Sequence, residues 1–254
     1  MSMHLDKLFL ASSILDKDIL QDKVEFKKPL SSKDFYFCKG SSLSYVLLAP
    51  WHANPLAFFF LRRKIIKSGF SCLCYRFIPD ILSPDVERTV SYFESISDTI
   101  KKDLEEIKDK YKLDKFIVMG FSLSSVTASM VSGSNDLVNG VILVVPGITL
   151  AESMWSGLRT RKIRRIMEKN GITLASLKDK WENLAPGKYA EGLRNKKVKI
   201  VLSKSDMIVP YIFGKELVDK VKEFVPGLVV ETNKHLGHYL TMINYCLFSK
   251  NIDF

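Results

Sequence analysis

Residues 115–125, with the sequence KFIVMGFSLSS, decide the fold of this chain. The apolar run from Phe116 to Met119 predicts a buried strand, and the segment VTASM at residues 126–130 is compatible with a helix. Ser122 then lies in the turn between strand and helix. Such a turn lifts the hydroxyl out of the sheet and points the free N–H groups of the helix towards any anion formed beside it.

The spacing of Gly120, Ser122 and Ser124 resembles the nucleophile elbow of the α/β-hydrolases, G-x-S-x-G, with serine in place of the last glycine. Small residues are needed there because strand and helix approach closely, and serine is the next smallest choice after alanine. A serine that follows a strand is more often a helix cap, so the elbow depends on support from the rest of the chain.

The rest of the chain alternates between strand and helix patterns. Apolar runs predict further strands, and they occur at residues 44–49, 70–76, 141–145, 198–203 and 228–231. Helical patterns occur at residues 58–67, 89–112, 213–224 and 239–248. This alternation predicts an α/β fold with a mostly parallel sheet and helices on both faces. The resemblance to the α/β-hydrolases covers roughly residues 40–250.

Residues 149–187 interrupt this alternation, because they contain no apolar run of strand length. They carry Trp155, Trp181 and a cluster of basic residues, and their pattern indicates helices outside the sheet. An insertion at this point forms a cap over the active site in α/β-hydrolases, and the resemblance implies the same here. We therefore divide the chain into a hydrolase core, residues 1–148 and 188–254, and a helical cap insertion, residues 149–187.

A serine hydroxyl is a poor nucleophile at neutral pH and needs a general base within hydrogen-bond reach. His4 lies near the terminus and His52 precedes the serine, whereas His235 and His238 follow the last predicted strand. In α/β-hydrolases the base occupies this loop, commonly directly after a glycine. The resemblance therefore implies that His238, in Gly237-His238, is the base, and His235 is the alternative.

Asp206 is the candidate for the carboxylate that orients the histidine. Its surroundings, SKSDMIVP at residues 203–210, resemble the family loop in which an aspartate closely precedes Val-Pro. In isolation, an aspartate in a turn usually bonds the nearby backbone. The order Ser122, Asp206, His238 is, however, that of this fold, with each residue just past a predicted strand. The resemblance thus implies a Ser-His-Asp triad.

An oxyanion hole needs two N–H donors. The resemblance implies the backbone of Leu123, directly after the nucleophile, and a second donor in the loop after the strand at residues 44–49. This loop reads Pro50-Trp51-His52, where family members often have His-Gly-x. Alignment of Pro50 with the family glycine makes Trp51 the second donor, with His52 as the alternative.

The expected reaction is hydrolysis of a carboxylic ester through an acyl-enzyme, with no metal or organic cofactor. The expected partner is a small-molecule acyl substrate. The aromatic residues Trp51, Phe58, Trp155 and Trp181 are available to line an acyl pocket. Among the candidate site residues, Trp155 and His52 are predicted to contact substrate.

The net charge of +10 favours anionic partners, and basic residues concentrate at Arg159, Arg161, Lys162, Arg164 and Arg165. One alternative function is therefore an acyl thioesterase acting on an anionic carrier such as coenzyme A, steered by Arg161, Arg164 and Arg165. A solvated helix face explains the same charges more simply. No helix-turn-helix, zinc-finger or ribonucleoprotein motif accompanies them, so we expect no specific nucleic acid partner.

The substitutions at the elbow and in the oxyanion loop leave another alternative open. Because a fold does not guarantee chemistry, the chain could be a catalytically silent binding module that keeps the hydrolase architecture. The intact serine, aspartate and histidine favour the enzyme.

The composition indicates a globular protein, since 46% of the residues are hydrophobic and 26% are charged. No run approaches the length of a membrane span, and the first residues lack the pattern of a signal peptide. Four scattered cysteines predict reduced thiols rather than a disulfide framework or a zinc site. We therefore expect a cytoplasmic protein without a membrane span.

Overall fold

The computed structural model describes residues 19–22, 31–51, 55–77 and 81–249. The strands within them are β1 (Ile19–Asp22), β2 (Ser31–Cys38), β3 (Leu43–Leu48), β4 (Ser71–Phe77), β5 (Lys115–Phe121), β6 (Val138–Val144), β7 (Lys197–Ser203) and β8 (Val229–Asn233). They form one sheet in the order β1-β2-β4-β3-β5-β6-β7-β8, with antiparallel pairing at β1–β2 and β2–β4 and parallel pairing between all the other neighbours. The predicted mostly parallel sheet is confirmed.

Helices cover both faces of the sheet. They are α1 (Pro55–Lys67), α2 (Val86–Tyr111), α3 (Ser124–Gly133), α4 (Leu150–Ser156), α5 (Arg161–Lys169), α6 (Leu174–Lys180), α7 (Tyr211–Lys222) and α8 (His238–Phe248). Buried residues of α2, α3 and α7 belong to the core on one face, and those of α1 and α8 belong to the core on the other.

The central strands are buried on both faces, so their side chains alternate between two cores. In β3, Val46 and Leu48 belong to the core beneath α2 and α3, whereas Tyr45 and Leu47 belong to the core beneath α1 and α8. This period of two follows from the pleat of a strand. A sheet covered on both faces accounts for the continuous apolar runs of the sequence.

Local signals set the ends of the long helix α2. Asp85 caps its start, with a carboxylate oxygen that accepts a 3.0 Å hydrogen bond from Arg88 N. Lys112, at the other end, adopts a left-handed conformation with φ of 56°. Between these ends Phe93, Ile96 and Ile100 recur at helical spacing and are buried.

The segment between β6 and β7 folds into α4, α5, α6 and short 3₁₀ turns, as the absence of strand patterns predicts. Its buried side chains, which include Met167, Leu177 and Trp181, join the same core as α2 and α3. The segment therefore packs onto the sheet domain as part of one hydrophobic core. That residues 149–187 form a separate cap over the active site stays a prediction.

Phe35 to Phe37 lie in β2, which is an inner strand of the sheet because β1 pairs with it on its outer side. Among the described residues no helix has both the length and the apolar character to cross a bilayer.

Candidate active site

Ser122 stands at the turn between β5 and α3, where the sequence predicts it. Its φ of 54° is the left-handed conformation that lifts a nucleophile above the end of a strand. The Ser122 N–H donates a 2.8 Å hydrogen bond to Val144 O, which fixes the turn to β6. A β-carbon added at Gly120 would lie 2.6 Å from Ala128 Cβ and 2.8 Å from Ser124 O, so this close approach requires glycine.

Ser124, which replaces the last glycine of the family pattern, is fully buried beneath the turn. Its hydroxyl accepts a 2.7 Å hydrogen bond from Phe121 N and donates one of 2.7 Å to Leu48 O. The side chain that departs from the pattern therefore links the ends of β5 and β3. Serine at this position strengthens the elbow.

His238, the first residue of α8, lies beside the elbow serine. Its Nε2 is 2.7 Å from Ser122 Oγ, and only 4% of the residue is exposed. The preceding loop is held to the end of β7, because the Ser203 hydroxyl donates to Leu236 O and the Ser205 hydroxyl donates to Lys234 O. These bonds fix the place where the helix begins and thereby the imidazole.

Asp206 lies on the other side of the imidazole, in the loop between β7 and α7. Its Oδ2 is 2.6 Å from His238 Nδ1, and its Oδ1 accepts 2.9 Å hydrogen bonds from Ile208 N and Val209 N. The carboxylate therefore has a fixed orientation, with one oxygen for the backbone and the other for the histidine. The imidazole with hydrogen on Nδ1 leaves Nε2 as an acceptor for the Ser122 hydroxyl.

The structure brings Ser122, Asp206 and His238 together. His235, the alternative base, is exposed in the loop before α8, and it is His238 whose ring contacts both partners. The three residues come from three different connections at the carboxyl ends of β5, β7 and β8. Binding sites of open α/β sheets lie at this edge.

A largely apolar pocket opens at the Ser122 hydroxyl. Leu123, Trp51 and Pro50 line it beside the serine. Leu123 precedes the first residue of α3, so its N–H belongs to the donors that a helix start leaves without an intrahelical acceptor. Leu123 and Trp51, whose backbone N–H groups are the predicted oxyanion donors, therefore both line the pocket.

The segment between β6 and β7 contributes another wall of the pocket. Leu150, Met154, Gly157, Arg159 and Thr160 line the pocket. These residues surround α4 and the turn into α5, for which the sequence gives no signal because the helices are too short to reveal which face they bury.

Three aromatic residues predicted for the pocket lie elsewhere. Trp181 is fully buried and donates a 3.1 Å hydrogen bond from Nε1 to Val86 O, so it belongs to the core. Phe58 packs on Phe121 with the ring centroids 5.0 Å apart, beneath the elbow. Trp155 is half-buried against the core and is not among the residues that line the pocket.

His52, the remaining predicted contact, lies outside the described residues.

Two polar groups of the pocket were not predicted. Ser125 is 1% exposed, lines the pocket, and has a hydroxyl without a hydrogen-bond partner among the described residues. Arg159 is exposed at the pocket, and its guanidinium carbon lies 4.8 Å from the centroid of the Tyr239 ring. Burial raises the pKa of the Tyr239 hydroxyl, although the nearby Arg159 charge lowers it. The pocket thus combines apolar walls with the Arg159 guanidinium and the Ser125 hydroxyl.

The basic cluster is divided by the fold. Arg164 is engaged within the segment, because its Nη1 donates a 2.7 Å hydrogen bond to Trp155 O and its Nε lies 3.6 Å from Glu168 Oε1. Arg161 and Arg165 are exposed on α5. Of the predicted steering trio, only these two present their charges to solvent.

In the parts of the chain that the structure describes, no group of three His, Cys, Asp or Glu side chains could hold a metal ion. The Cys72 and Cys74 sulfurs lie 3.6 Å apart in β4.

Comparisons with known proteins agree with this architecture. No protein-family model matches the chain, and no curated protein matches it in sequence. Solved structures do match. An esterase of Pyrococcus furiosus superposes with a TM-score of 0.63 and 15% identity, covering 91% of this chain and 85% of that one. An acylaminoacyl peptidase of Pyrococcus horikoshii superposes with a TM-score of 0.70 and 12% identity, covering 95% of this chain and 41% of that one.

These similarities and the strand order identify the fold of the chain. The chain has the α/β-hydrolase fold, as the elbow sequence and the alternation of strands and helices predict. At identities of 12% and 15% the similarity is one of fold.

Proposed function

We propose that the protein is a serine hydrolase that cleaves a carboxylic ester through an acyl-enzyme intermediate. The observation that carries the proposal is the continuous chain of short contacts from Ser122 Oγ through His238 to Asp206, 2.7 Å and 2.6 Å long. These contacts lie at the mouth of a largely apolar pocket. A structural serine would not need a buried imidazole and a buried carboxylate aligned behind it.

In the proposed reaction, His238 Nε2 accepts the hydroxyl proton as Ser122 Oγ attacks the acyl carbonyl carbon. Asp206 stabilises the imidazolium that forms and keeps its Nδ1–H directed at the carboxylate. Collapse of the tetrahedral intermediate expels the alcohol, which takes the proton from Nε2. Water then attacks the acyl-enzyme by the same steps and releases the acid.

The carbonyl oxygen becomes negatively charged in the tetrahedral intermediate. We assign its stabilisation to the backbone N–H groups of Leu123 and Trp51, which flank the pocket beside Ser122. Each such donor contributes on the order of 3 kcal/mol to lowering the barrier. The side chains of Leu150, Met154 and Val126 offer the acyl group an apolar surface.

Labelling and kinetics test this proposal together. A fluorophosphonate should label the wild type and fail to label Ser122→Ala, whereas Ser156→Ala, which removes an exposed serine from α4, should be labelled normally. With p-nitrophenyl esters, Ser122→Ala should lose activity by about 10³-fold or more. Absence of labelling and turnover in the folded wild type would instead assign a silent binding module.

A second candidate function is hydrolysis of an acyl thioester on an anionic carrier. The observation that favours it is Arg159, whose charge lies at the pocket rather than on the outer face of α5. An anionic leaving group would place its charge beside this guanidinium while the acyl chain enters the apolar pocket. Parallel measurement on esters and acyl-coenzyme A thioesters distinguishes the two candidates.

A further inference from the structure

Large apolar side chains are exposed where three separate chain segments reach the pocket. Leu158 is 56% exposed, Met207 is 74% exposed and Leu240 is 56% exposed. Each is adjacent in sequence to a residue that lines the pocket. We call these three residues the apolar rim. Single exposed apolar residues are ordinary, but several around one opening mark an interaction surface.

The three segments adjoin one another at the pocket. The Arg159 guanidinium lies over the Tyr239 ring, which joins the Leu158 segment to the start of α8. A β-carbon added at Gly157 would lie 3.6 Å from Ile208 O, so the same segment also meets the loop of Met207. The segments that carry the apolar rim therefore adjoin one another on the surface around the pocket mouth.

Helix α5 brings positive charge to this surface directly after Leu158. Residues 158–169, LRTRKIRRIMEK, contain six basic residues and one acidic residue, Glu168, which lies beside Arg164. The other basic residues of the helix are exposed and form what we call the basic helix face: Arg161, Lys162, Arg165 and Lys169. Ile166, 46% exposed, lies among them.

We propose that the apolar rim and the basic helix face together bind the surface of a bilayer that contains anionic phospholipid. Exposed apolar residues beside a cationic helix face are the features of proteins that lie in the membrane interface. The cations would face the lipid headgroups, where each Lys or Arg adds attraction, and the rim would enter the boundary with the acyl chains. A bilayer accommodates separate apolar tips at any spacing, whereas a protein partner must match their arrangement.

Binding in this orientation turns the pocket mouth towards the lipid. An apolar acyl group could then pass from the bilayer to the pocket without crossing water. The surface itself needs no catalysis, so the binding proposal goes beyond the proposed hydrolase activity. Ser122→Ala should bind vesicles as the wild type does even where it hydrolyses nothing.

Cosedimentation with vesicles tests the surface. The full chain should bind vesicles of phosphatidylcholine and phosphatidylglycerol at least tenfold more tightly than vesicles of phosphatidylcholine alone, and added salt should weaken the binding. The double variant Arg161→Glu with Arg165→Glu should reduce the affinity for anionic vesicles at least tenfold. Leu158→Gln with Met207→Gln should reduce it at least fivefold.

Matched controls separate this surface from general charge and hydrophobicity. Lys102→Glu with Lys115→Glu reverses two exposed charges on α2 and at the amino end of β5, and Val230→Gln removes an exposed apolar residue from β8. Both controls should bind anionic vesicles within twofold of the wild type. Circular dichroism of each variant checks that the protein is folded.

Three outcomes would overturn the proposal. One is the absence of binding to anionic vesicles by the folded wild type, and another is an equal loss of affinity in the controls and the rim variants. The third is capture of a soluble acidic protein through α5 without any vesicle binding, which would assign the surface to a protein partner.

Discussion

The hydroxyl of Ser124 donates a 2.7 Å hydrogen bond to the backbone carbonyl of Leu48, 76 residues earlier in the chain. This bond joins the start of α3 to the end of β3, and β3 leads directly into Pro50 and Trp51 of the proposed oxyanion loop. One buried hydrogen bond therefore links the elbow to the strand that leads into the oxyanion loop.

Ser124→Ala should destabilise the protein because it leaves Phe121 N and Leu48 O without their buried partner. The loss of such hydrogen bonds costs about 1–3 kcal/mol, which corresponds to a melting temperature lower by roughly 2–8 °C in a protein of this size. Thermal denaturation measures the effect. Ser129→Ala is the matched control, because Ser129 is buried in the same helix but its hydroxyl has no hydrogen-bond partner among the described residues. Equal shifts in both variants would disprove the role of the Leu48 bond.

Gly120→Ala should destabilise the elbow by overpacking. The new methyl group would lie 2.6 Å from Ala128 Cβ and 2.8 Å from Ser125 Cα, so α3 must move away from β5. Overpacking of this kind costs about 1–3 kcal/mol, and the displacement of Ser122 should also lower esterase kcat. Gly227→Ala, where nothing lies within 4 Å of the new methyl, should change neither quantity. A stable and fully active Gly120→Ala would contradict the close approach.

Much of the fold follows from local sequence. The buried strands β3, β5, β6 and β7 are continuous apolar runs, and the structure places them within a few residues of the predicted ranges. Helix α2 is long enough for its periodicity to be unambiguous. The elbow is recognisable in the sequence because a turn of small residues separates a strand pattern from a helix pattern. In the structure Ser122, in this turn, has a φ of 54°.

Other features depend on contacts between distant segments, which local patterns do not contain. Serine at position 124 looks like a defect in the glycine pattern until Leu48 is placed beside it. Trp155 and Trp181 look like ligand contacts in a polar segment, but Trp181 completes the core, and it is Met154, next to Trp155, that lines the pocket. In helices of seven residues, such as α4, no period is long enough to predict which face is buried.

Asp206→Asn should reduce esterase kcat by about 10³–10⁴-fold while the protein stays folded. Ile208 N and Val209 N donate to Oδ1, so the amide oxygen will occupy that position and the amide nitrogen will face His238. The amide N–H then donates to Nδ1, and the imidazole proton lies on Nε2. An Nε2 that already carries a proton cannot accept the serine proton. Steady-state kinetics and thermal denaturation measure the two effects. An active Asp206→Asn would remove the aspartate from the mechanism.

The ion pair between Glu152 of α4 and Lys178 of α6 should stabilise the segment between β6 and β7 only above acidic pH. Lys178 Nζ lies 2.6 Å from Glu152 Oε1; burial acts to raise the pKa of Glu152, but hydrogen bonds from Lys178 and Thr149 outweigh it and lower that pKa. A lowered folded pKa gives stability that is present above the unfolded value, about 4.3, and is lost as pH falls through the folded value. The same pair raises the pKa of Lys178. The contribution is therefore fully present below the pKa of a free lysine and is lost as the pH rises through the raised pKa of Lys178.

Glu152→Gln should therefore lower the melting temperature by about 1–2 °C at pH 7 and by less at pH 3. Glu105→Gln, which removes a 3.8 Å pair with Lys108 within one helix, serves as the control and should have a smaller effect at either pH. A difference between wild type and Glu152→Gln that persists undiminished at pH 3 would exclude the ion pair as its source.

Arg159→Gln distinguishes the ester from the thioester assignment. If the leaving group is anionic, removal of the guanidinium at the pocket should raise KM for butyryl-coenzyme A about tenfold, with a much smaller change for the neutral ester p-nitrophenyl butyrate, because both substrates deliver the same acyl chain. Arg88→Gln, which removes an exposed charge from α2, should leave both KM values unchanged. A proportional rise for both substrates would show that Arg159 acts through its packing on Tyr239, since loss of that contact would disturb the apolar wall irrespective of the leaving group. Such a result would favour the neutral ester as the substrate class.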